Sequence, residues 1–441
     1  MKYFGTDGIR GTYGDAFINE EFFGRLGEAA SRYVLAFGPN NKIVIGADPR
    51  FSSTPLKDAF CKGARGVEIS DMGSVSTPLL AFGTKKSGAA LGVMITASHN
   101  PYTDNGIKFF NTEANKVSDE TQLLLERFVD FPSELSMVPS AKIVAESAFK
   151  QEYMRYMLTL LPARCLSGMK IALDSANGAT VGITSEVLKQ YGATLVQIGN
   201  APDGKNINFE VGSENSGALA KLCKESGAHI GFAHDGDGDR LVVCDENGEI
   251  LNGEEVLALI AEACKKAGTL EGGAIVTTVQ SNMGLDKSLE REGIKTYRSG
   301  VGDRLVMQLM IEKGCNMGGE NSGHYIFSDI SPCGDGLAAA IKLLSILISS
   351  HKKLSELKKT VRLYPVCQAA IKVARKVPVE ETPSLFAAMV KCEETLGGAG
   401  RILVRYSGTE NKIRLLVEGE DKSLIDKCFD LLKIAVENDL K

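Results

Sequence analysis

The chain has 441 residues, 44% hydrophobic and 24% charged, with a formal net charge of -5. That length suggests about three or four globular domains. The mild acidity gives no reason to expect nucleic acid or an anionic membrane surface as partner. No apolar run approaches the roughly 18 residues of a membrane span, and "MKYFGTDGIRG" carries no apolar signal region. The expectation is a soluble, cytoplasmic protein with no membrane and no nucleic-acid partner. Ten cysteines are scattered without a C-x-x-C pair. This is the usage of buried thiols in a reducing compartment. Five histidines are too dispersed for a histidine metal cluster.

Apolar runs of strand length alternate with longer helical patterns for most of the chain. "KIVIGA" predicts a strand, and "TPLKDAFCKGARG" after it a helix with Thr54 as N-cap. "LGVMI" predicts the strand that runs into "TASHNP". "KIALDSANGAT" reads as strand and turn, and "TSEVLKQYGA" as helix. "HIGFAHDGDGD" is a strand entering an acidic loop. "GAIVTTVQSN" is a strand entering a polar one, followed by the helical "MGLDKSLEREG". Repeated strand, loop and helix predicts α/β layers with mixed or parallel sheets. Three such stretches run over 1–150, 151–252 and 253–364. The remainder, 365–441, differs: "RILVRYSGTENKIRLLVEG" gives two strands around a loop, and "SLIDKCFDLLKIAVEND" an amphipathic helix. That is a smaller α+β domain.

Four loops carry candidate chemistry. In "ITASHNPYTDNGIK" a buried strand delivers Ser98 and His99 into a small, polar loop, with Lys108 close behind. It is either an ordinary loop or a positioned nucleophile. The G-x-S-x-G pattern of a serine hydrolase is absent. In "HDGDGDR", Asp235, Asp237 and Asp239 alternate with glycine, so their carboxylates can converge on a hard cation such as Mg²⁺ or Ca²⁺. The spacing to Glu246 also matches an EF-hand. Arg240, however, stands where that loop needs glycine, and Asn247-Gly248 signals a hairpin, not a second helix. Arg240 either faces an anionic substrate group or pairs with one of the aspartates. "GGENSGHYIF" presents Glu320, Asn321, Ser322 and His324 on a glycine-rich turn, a donor and acceptor set suited to a polyol. "RYSGTENKIR" sets Arg405 and Arg414 at the ends of a Ser-Gly-Thr loop, the parts of a phosphate cradle. A solvated turn is the plain alternative for the acidic and glycine-rich loops, and a hairpin with surface charges for "RYSGTENKIR". "GVGDR" (with Asp303 and Arg304) and the Arg10 of "YFGTDGIRG" are weaker signals. "DSANGAT" lacks the lysine of a nucleotide-binding P-loop.

"TASHNP", "DGDGDR", "GENSGH" and "SGTE" occur in that order. Together they resemble the four active-site loops of the α-D-phosphohexomutases. "FGTDGIRG", "SNMGL", "VGDR" and the final "SGTE" resemble the bacterial phosphoglucosamine mutase branch, and the likeness runs along nearly the whole chain. The resemblance implies three α/β domains and a C-terminal α+β domain, heart-shaped around a central cleft. It implies conversion of glucosamine 6-phosphate to glucosamine 1-phosphate through a 1,6-bisphosphate, on the route to UDP-N-acetylglucosamine. Ser98 would carry the transferable phosphate, with Arg10, His99 and Lys108 completing the catalytic set. One Mg²⁺ would be held by Asp235, Asp237, Asp239 and the Ser98 phosphate. Arg240, Glu320, Ser322 and His324 would hold the sugar, while Arg405, Ser407, Gly408, Thr409 and Arg414 would hold the phosphate that is not reacting. Lys108 could take a proton only if neighbouring cations lowered its pKa. Glucosamine 1,6-bisphosphate or glucose 1,6-bisphosphate would be the activator, sugar phosphates the small-molecule partners, and the enzyme a monomer or homodimer. Departures include Thr96 for a frequent serine, Asn321 for glutamine, Asn411 for proline, and "DPRFSS" for "DTRISG". None removes a charged or phosphate-bearing group. Rival readings are phosphomannomutase or phosphoglucomutase specificity, a non-catalytic sugar-phosphate sensor, and a metal-dependent phosphatase.

Overall fold

The computed structural model describes residues 1–5, 7–132, 138–407 and 411–441. The first sheet contains β1 (Ile9–Thr12), β2 (Lys42–Ala47), β3 (Glu68–Ser74), β4 (Leu91–Ile95), β5 (Asp104–Phe110) and β6 (Lys142–Ala145). Their spatial order is β1-β5-β4-β2-β3-β6. The pairs β2–β3, β2–β4 and β3–β6 are parallel, whereas β4–β5 and β1–β5 are antiparallel. Every residue of β4 is buried. Helices cover both faces of such a sheet, which is why "LGVMI" is apolar without alternation. The helix after β2 spans Ser53–Gly63 with Ser52 as its cap position, so Thr54 lies inside the first turn and not at the predicted N-cap. The reason is local. Ser53 Oγ donates to Asp48 (2.9 Å), which draws the helix start back, and Pro55 is tolerated in a first turn.

The second sheet contains β7 (Lys170–Asp174), β8 (Thr194–Ile198), β9 (Ile230–His234), β10 (Leu241–Asp245) and β11 (Ile250–Leu251), in the order β11-β10-β9-β7-β8. The Asn247-Gly248 turn joins β10 to β11 as an antiparallel hairpin. The third contains β12 (Ala274–Thr278), β13 (Lys295–Ser299), β14 (Met317–Gly319) and β15 (Tyr325–Phe327), in the order β13-β12-β14-β15. The fourth is an antiparallel sheet of β16 (Val366–Lys372), β17 (Gly400–Tyr406) and β18 (Lys412–Gly419), ordered β16-β18-β17. Its apolar face packs on the helices Pro383–Leu396 and Lys422–Leu440 through Ile413, Leu415, Leu385 and Leu432.

Separate apolar clusters form around the four sheets, on Ile43 and Val93, on Ala172 and Leu219, on Val276 and Met310, and on Leu385 and Leu415. By contact the chain divides into two compact units. One holds Met1–Val279 and Tyr297–Lys358; the other holds Gln280–Thr296 and Lys359–Lys441. Residues 280–296, grouped by the sequence with the third α/β stretch, thus join the C-terminal unit. All ten cysteines are free thiols. Among the described residues, no helix is long and apolar enough to cross a membrane.

Candidate active site

The larger unit gathers Ser98, Lys108, the three aspartates, Arg10, Arg240 and His324. Ser98 follows β4, Asp235 follows β9, and Glu320 follows β14. In open α/β sheets this carboxyl end of the strands is where ligands bind. Ser98 is buried with φ +52°, a left-handed backbone that costs a non-glycine residue about 1–2 kcal/mol. Such strain in a loop serine marks a side chain whose direction matters. Its Oγ donates to Asp235 Oδ2 at 2.6 Å, and His99 Nδ1 lies 3.4 Å from the same Oγ.

The three aspartates are buried, and one oxygen from each lies within 4.8 Å of the others. Asp235 Oδ1 accepts the backbone N–H groups of Gly238 (3.1 Å) and Arg240 (3.2 Å). Asp237 Oδ2 accepts from Thr77 Oγ1 (2.6 Å) and Lys108 Nζ (2.9 Å). Asp237 Oδ1 and Asp239 Oδ1 are buried without a hydrogen-bond partner. Burial pushes the Asp235 carboxyl well above the usual carboxylate range, and Asp239 and Asp237 beside it push further. Three crowded carboxylates, with Asp237 Oδ1 lacking any hydrogen bond and burial disfavouring the Asp235 anion, fit a hard divalent cation such as Mg²⁺.

Lys108 lies on β5 opposite Met94, almost wholly buried. Its Nζ is 2.9 Å from Asp237, 3.2 Å from Asp239 and 3.2 Å from Asp7. Burial disfavours the ammonium, but Asp237, Asp239 and Asp7 outweigh it and hold the pKa well above the ordinary lysine value. Three carboxylates surround Lys108 and favour its ammonium form, and a cation on Asp237 and Asp239 would offset two of the three. Asp7 reaches Lys108 because Gly8, at φ +76°, lets the N-terminal segment lie against β5. A Cβ at Gly8 would stand 2.3 Å from Ile107 O.

Arg10 pairs with Asp7, and its Nε is buried without a partner. Burial works against its charge, yet Asp7, Asp237 and Asp239 raise its pKa. Arg240 lies 3.3 Å from Glu214 and likewise keeps an unpartnered Nε. His99 is driven down to about 4 by burial, with Arg240 and Arg10 adding to the effect, so it is neutral. His324 behaves oppositely. Its Nδ1 is 3.6 Å from Asp239 and its Nε2 3.3 Å from Asp303. Although burial lowers its pKa, Asp239 and Asp303 raise it to about 9. Glu320 accepts the Gly302 N–H (3.1 Å), and Ser322 Oγ is buried and unpaired.

The structure adds residues that the motifs did not supply. Asp7 accepts from Lys116, which also donates to Asp303 at 2.7 Å. Thr77 holds Asp237. The "DSANGAT" turn packs on the aspartate loop: Ala179 N–H donates to Gly236 O (2.8 Å), and a Cβ at Gly178 would stand 2.4 Å from that oxygen. These residues are single in the sequence. The one signal for them is a charged or glycine position just past a buried strand.

In the C-terminal unit, Arg405 on β17 and Arg414 on β18 are directly opposed. Both line a cavity of about 360 Å³ with Gln280, Gln368, Leu403 and Leu416. Burial, together with Arg414, lowers the Arg405 pKa. Two guanidinium groups facing each other suit an anion between them. Ser407 is buried, its N–H donating to Lys412 O (2.8 Å), and Lys376 donates to its carbonyl (2.6 Å). Gly408 and Thr409 lie outside the described residues.

Comparison with known proteins agrees with this architecture. Family models described as phosphoglucomutase/phosphomannomutase match all along the chain: alpha/beta/alpha domain I over residues 1–134, domain II over 151–248, domain III over 252–364, and the C-terminal domain over 369–433. A phosphoglucosamine mutase of Leuconostoc citreum is 38% identical, covering 99% of this chain and 98% of its own. One of Paramagnetospirillum magneticum is 40% identical, covering 98% and 97%. A phosphoglucomutase/phosphomannomutase family protein of Burkholderia thailandensis shares the fold with a TM-score of 0.83 at 24% identity, covering 98% of this chain and 96% of its own. Aspergillus fumigatus N-acetylphosphoglucosamine mutase, solved with GlcNAc-6P and magnesium, gives a TM-score of 0.66 at 16% identity, covering 100% and 96%. With full-length relatives of this identity and all four domains matched, the chain belongs to the phosphoglucosamine mutase family of phosphohexomutases.

Proposed function

We propose that this protein interconverts glucosamine 6-phosphate and glucosamine 1-phosphate through a phosphorylated Ser98 and a 1,6-bisphosphate, supplying the amino sugar for UDP-N-acetylglucosamine in the cytoplasm. The observation that carries the reading is the strained, buried Ser98, whose Oγ stands 2.6 Å from Asp235 at the edge of the aspartate cluster. Four domains at 1–150, 151–252, 253–364 and 365–441 would each lend one loop. Asp235, Asp237, Asp239 and the Ser98 phosphate would hold Mg²⁺. When bound, that ion supplies charge neutralisation and Lewis-acid stabilisation of the transferring phosphoryl group.

The remaining work falls to positioning and fixed charge. In the transfer, the P–O bond to Ser98 Oγ breaks as a P–O bond to the sugar hydroxyl forms. The proton of that hydroxyl ends on Ser98 Oγ. Lys108 serves as a buried positive charge where negative charge develops. Arg10 adds charge from β1, and its free Nε is available to a phosphate oxygen. Neutral His99 offers Oγ one hydrogen bond and no charge. Ser322, Glu320 and Arg240 offer unfilled donors and acceptors to the sugar and its substituents. His324, tied between Asp239 and Asp303, braces the aspartates as well as standing beside that loop. Arg405, Ser407, Gly408, Thr409 and Arg414 would grip the phosphate that is not reacting, in either orientation of the bisphosphate. Glucosamine 1,6-bisphosphate or glucose 1,6-bisphosphate would prime Ser98.

Turnover of glucosamine, glucose and mannose 6-phosphates by one preparation, primed with glucose 1,6-bisphosphate and Mg²⁺, tests the specificity. The highest kcat/KM is expected for glucosamine 6-phosphate. A preference for mannose 6-phosphate would move the assignment to a phosphomannomutase.

A further inference from the structure

Transfer from Ser98 requires its Oγ to be held still, and the backbone of that residue is gripped on both sides. The Ser98 N–H donates to Thr96 Oγ1 (2.9 Å), which donates in turn to Asp48 Oδ2 (2.7 Å). Asp48 also accepts from Ser53 Oγ (2.9 Å), from Arg50 N (3.1 Å) and from Arg50 Nε (2.9 Å). The Arg50 side chain has no exposed surface. Its Nη2 donates to Ser98 O (2.9 Å) and Asn100 O (2.8 Å). Its Nη1 donates to Asp104 O (3.1 Å) and to Pro101 O. One guanidinium thus engages four carbonyls of a single seven-residue segment, 98–104. A lysine ammonium has neither the donors nor the planar fork to do this.

A second donor comes from far along the chain. Asn208 Nδ2 donates to Ser98 O (2.9 Å) and to Asn100 O (3.0 Å), the same two carbonyls that Arg50 Nη2 engages. Each carbonyl therefore has two donors and both lone pairs in use. Asn208 is itself fixed, at φ +58°, with its N–H on Ala176 O (2.9 Å) and its own carbonyl accepting from Asn215 (3.0 Å). The aspartate loop presses against the same point. A Cβ at Gly236 would stand 2.5 Å from Ser98 O and 2.9 Å from Asn208 Nδ2. Asn208 thus sits where the serine loop and the aspartate loop meet.

We propose that Arg50 and Asn208 are positioning residues for phosphoryl transfer, holding the Ser98 peptide in its left-handed turn and setting Oγ in register with the 235–239 loop. This rests on the reading of Ser98 as the phosphoryl carrier. Both side chains point into the loop and act through Ser98, so their loss affects the transfer step rather than sugar binding.

The test uses the full-length protein, primed with glucose 1,6-bisphosphate and Mg²⁺, as wild type, Arg50→Lys, Asn208→Ala and Asn208→Asp. Single-turnover transfer from phosphorylated Ser98 to glucosamine 6-phosphate, steady-state kcat and KM, and thermal melting are read in parallel. Arg50→Lys keeps a cation opposite Asp48 and avoids leaving that carboxylate alone. In Arg50→Lys and Asn208→Ala, the transfer rate and kcat are expected to fall about 100-fold, the scale of a misplacement of about 1 Å. KM should stay within about twofold. Asn208→Asp, which sets an acceptor against two carbonyls, should be slower than Asn208→Ala. Wild-type kcat in both variants overturns the clamp. So does a loss that falls on KM alone, or unfolding of both variants at the assay temperature, which would make the role structural. A wild type that takes no phosphate on Ser98 instead overturns the functional reading, and the clamp with it.

Discussion

Replacing Arg414 with glutamine should make the protein slightly more stable and its substrate binding much weaker. Arg414 and Arg405 face each other across β18 and β17, Arg414 exposed and Arg405 half-buried. Like charges directly opposed in a sheet are destabilising, here by on the order of 0.5 kcal/mol. Glutamine relieves that repulsion and preserves most of the side-chain length. Under the proposed function it also removes a charge-assisted hydrogen bond to the phosphate that is not reacting, worth about 1.5–3 kcal/mol. That bond is the same in ground and transition state, so its loss falls on KM, which should rise about 10-fold to 150-fold with little change in kcat. The assay pairs steady-state kinetics on glucosamine 6-phosphate with melting of the sugar-free protein at low ionic strength, where repulsion is least screened. An unchanged KM would refute the phosphate role of this pair. A lower melting temperature would refute the account of their repulsion.

Two further outcomes follow from the same geometry. In chelated, metal-free protein, His324 is raised from 6.5 to about 9, chiefly by Asp239 and Asp303 against the opposing effect of burial. A raised histidine contributes stability that is complete below pH 6.5 and is lost as pH climbs through about 9, here ~3 kcal/mol. Melting of the chelated protein across that window should therefore fall with pH, and a flat profile would contradict the pairing. Gly236→Ala sets a methyl 2.5 Å from Ser98 O and 2.9 Å from Asn208 Nδ2. Something must shift, at about 1–3 kcal/mol, and kcat should drop by about 100-fold. A fully active alanine variant would show that the two loops need no such approach.

The most local features were the most legible. Asp235, Asp237 and Asp239 lie within five residues on a glycine-softened loop, so their convergence follows from chain geometry alone. Ser98 was marked by a fully apolar run ending in small polar residues. The Asn247-Gly248 hairpin and the closing helix of the C-terminal unit followed from turn chemistry and period. What the motifs missed was assembled from singletons. Arg50 was visible only as part of "DPRFSS", a departure from a pattern, yet it engages four carbonyls of the serine loop. Asn208 lies 110 residues from Ser98, and no local rule joins them. Asp7 reaches Lys108 only because a glycine permits close backbone packing. Lys108 shows the same limit. Its presence was legible, but its protonation depends on three carboxylates from two distant segments.

The proposed transfer stands on Ser98 carrying the phosphate. Intact-mass measurement and peptide mapping after incubation with glucosamine 1,6-bisphosphate and Mg²⁺ test it directly, with Ser98→Ala as the paired variant. One added phosphate is expected, on Ser98, with no mutase activity in the alanine variant. Phosphate on another residue, or full activity without the Ser98 hydroxyl, would contradict it.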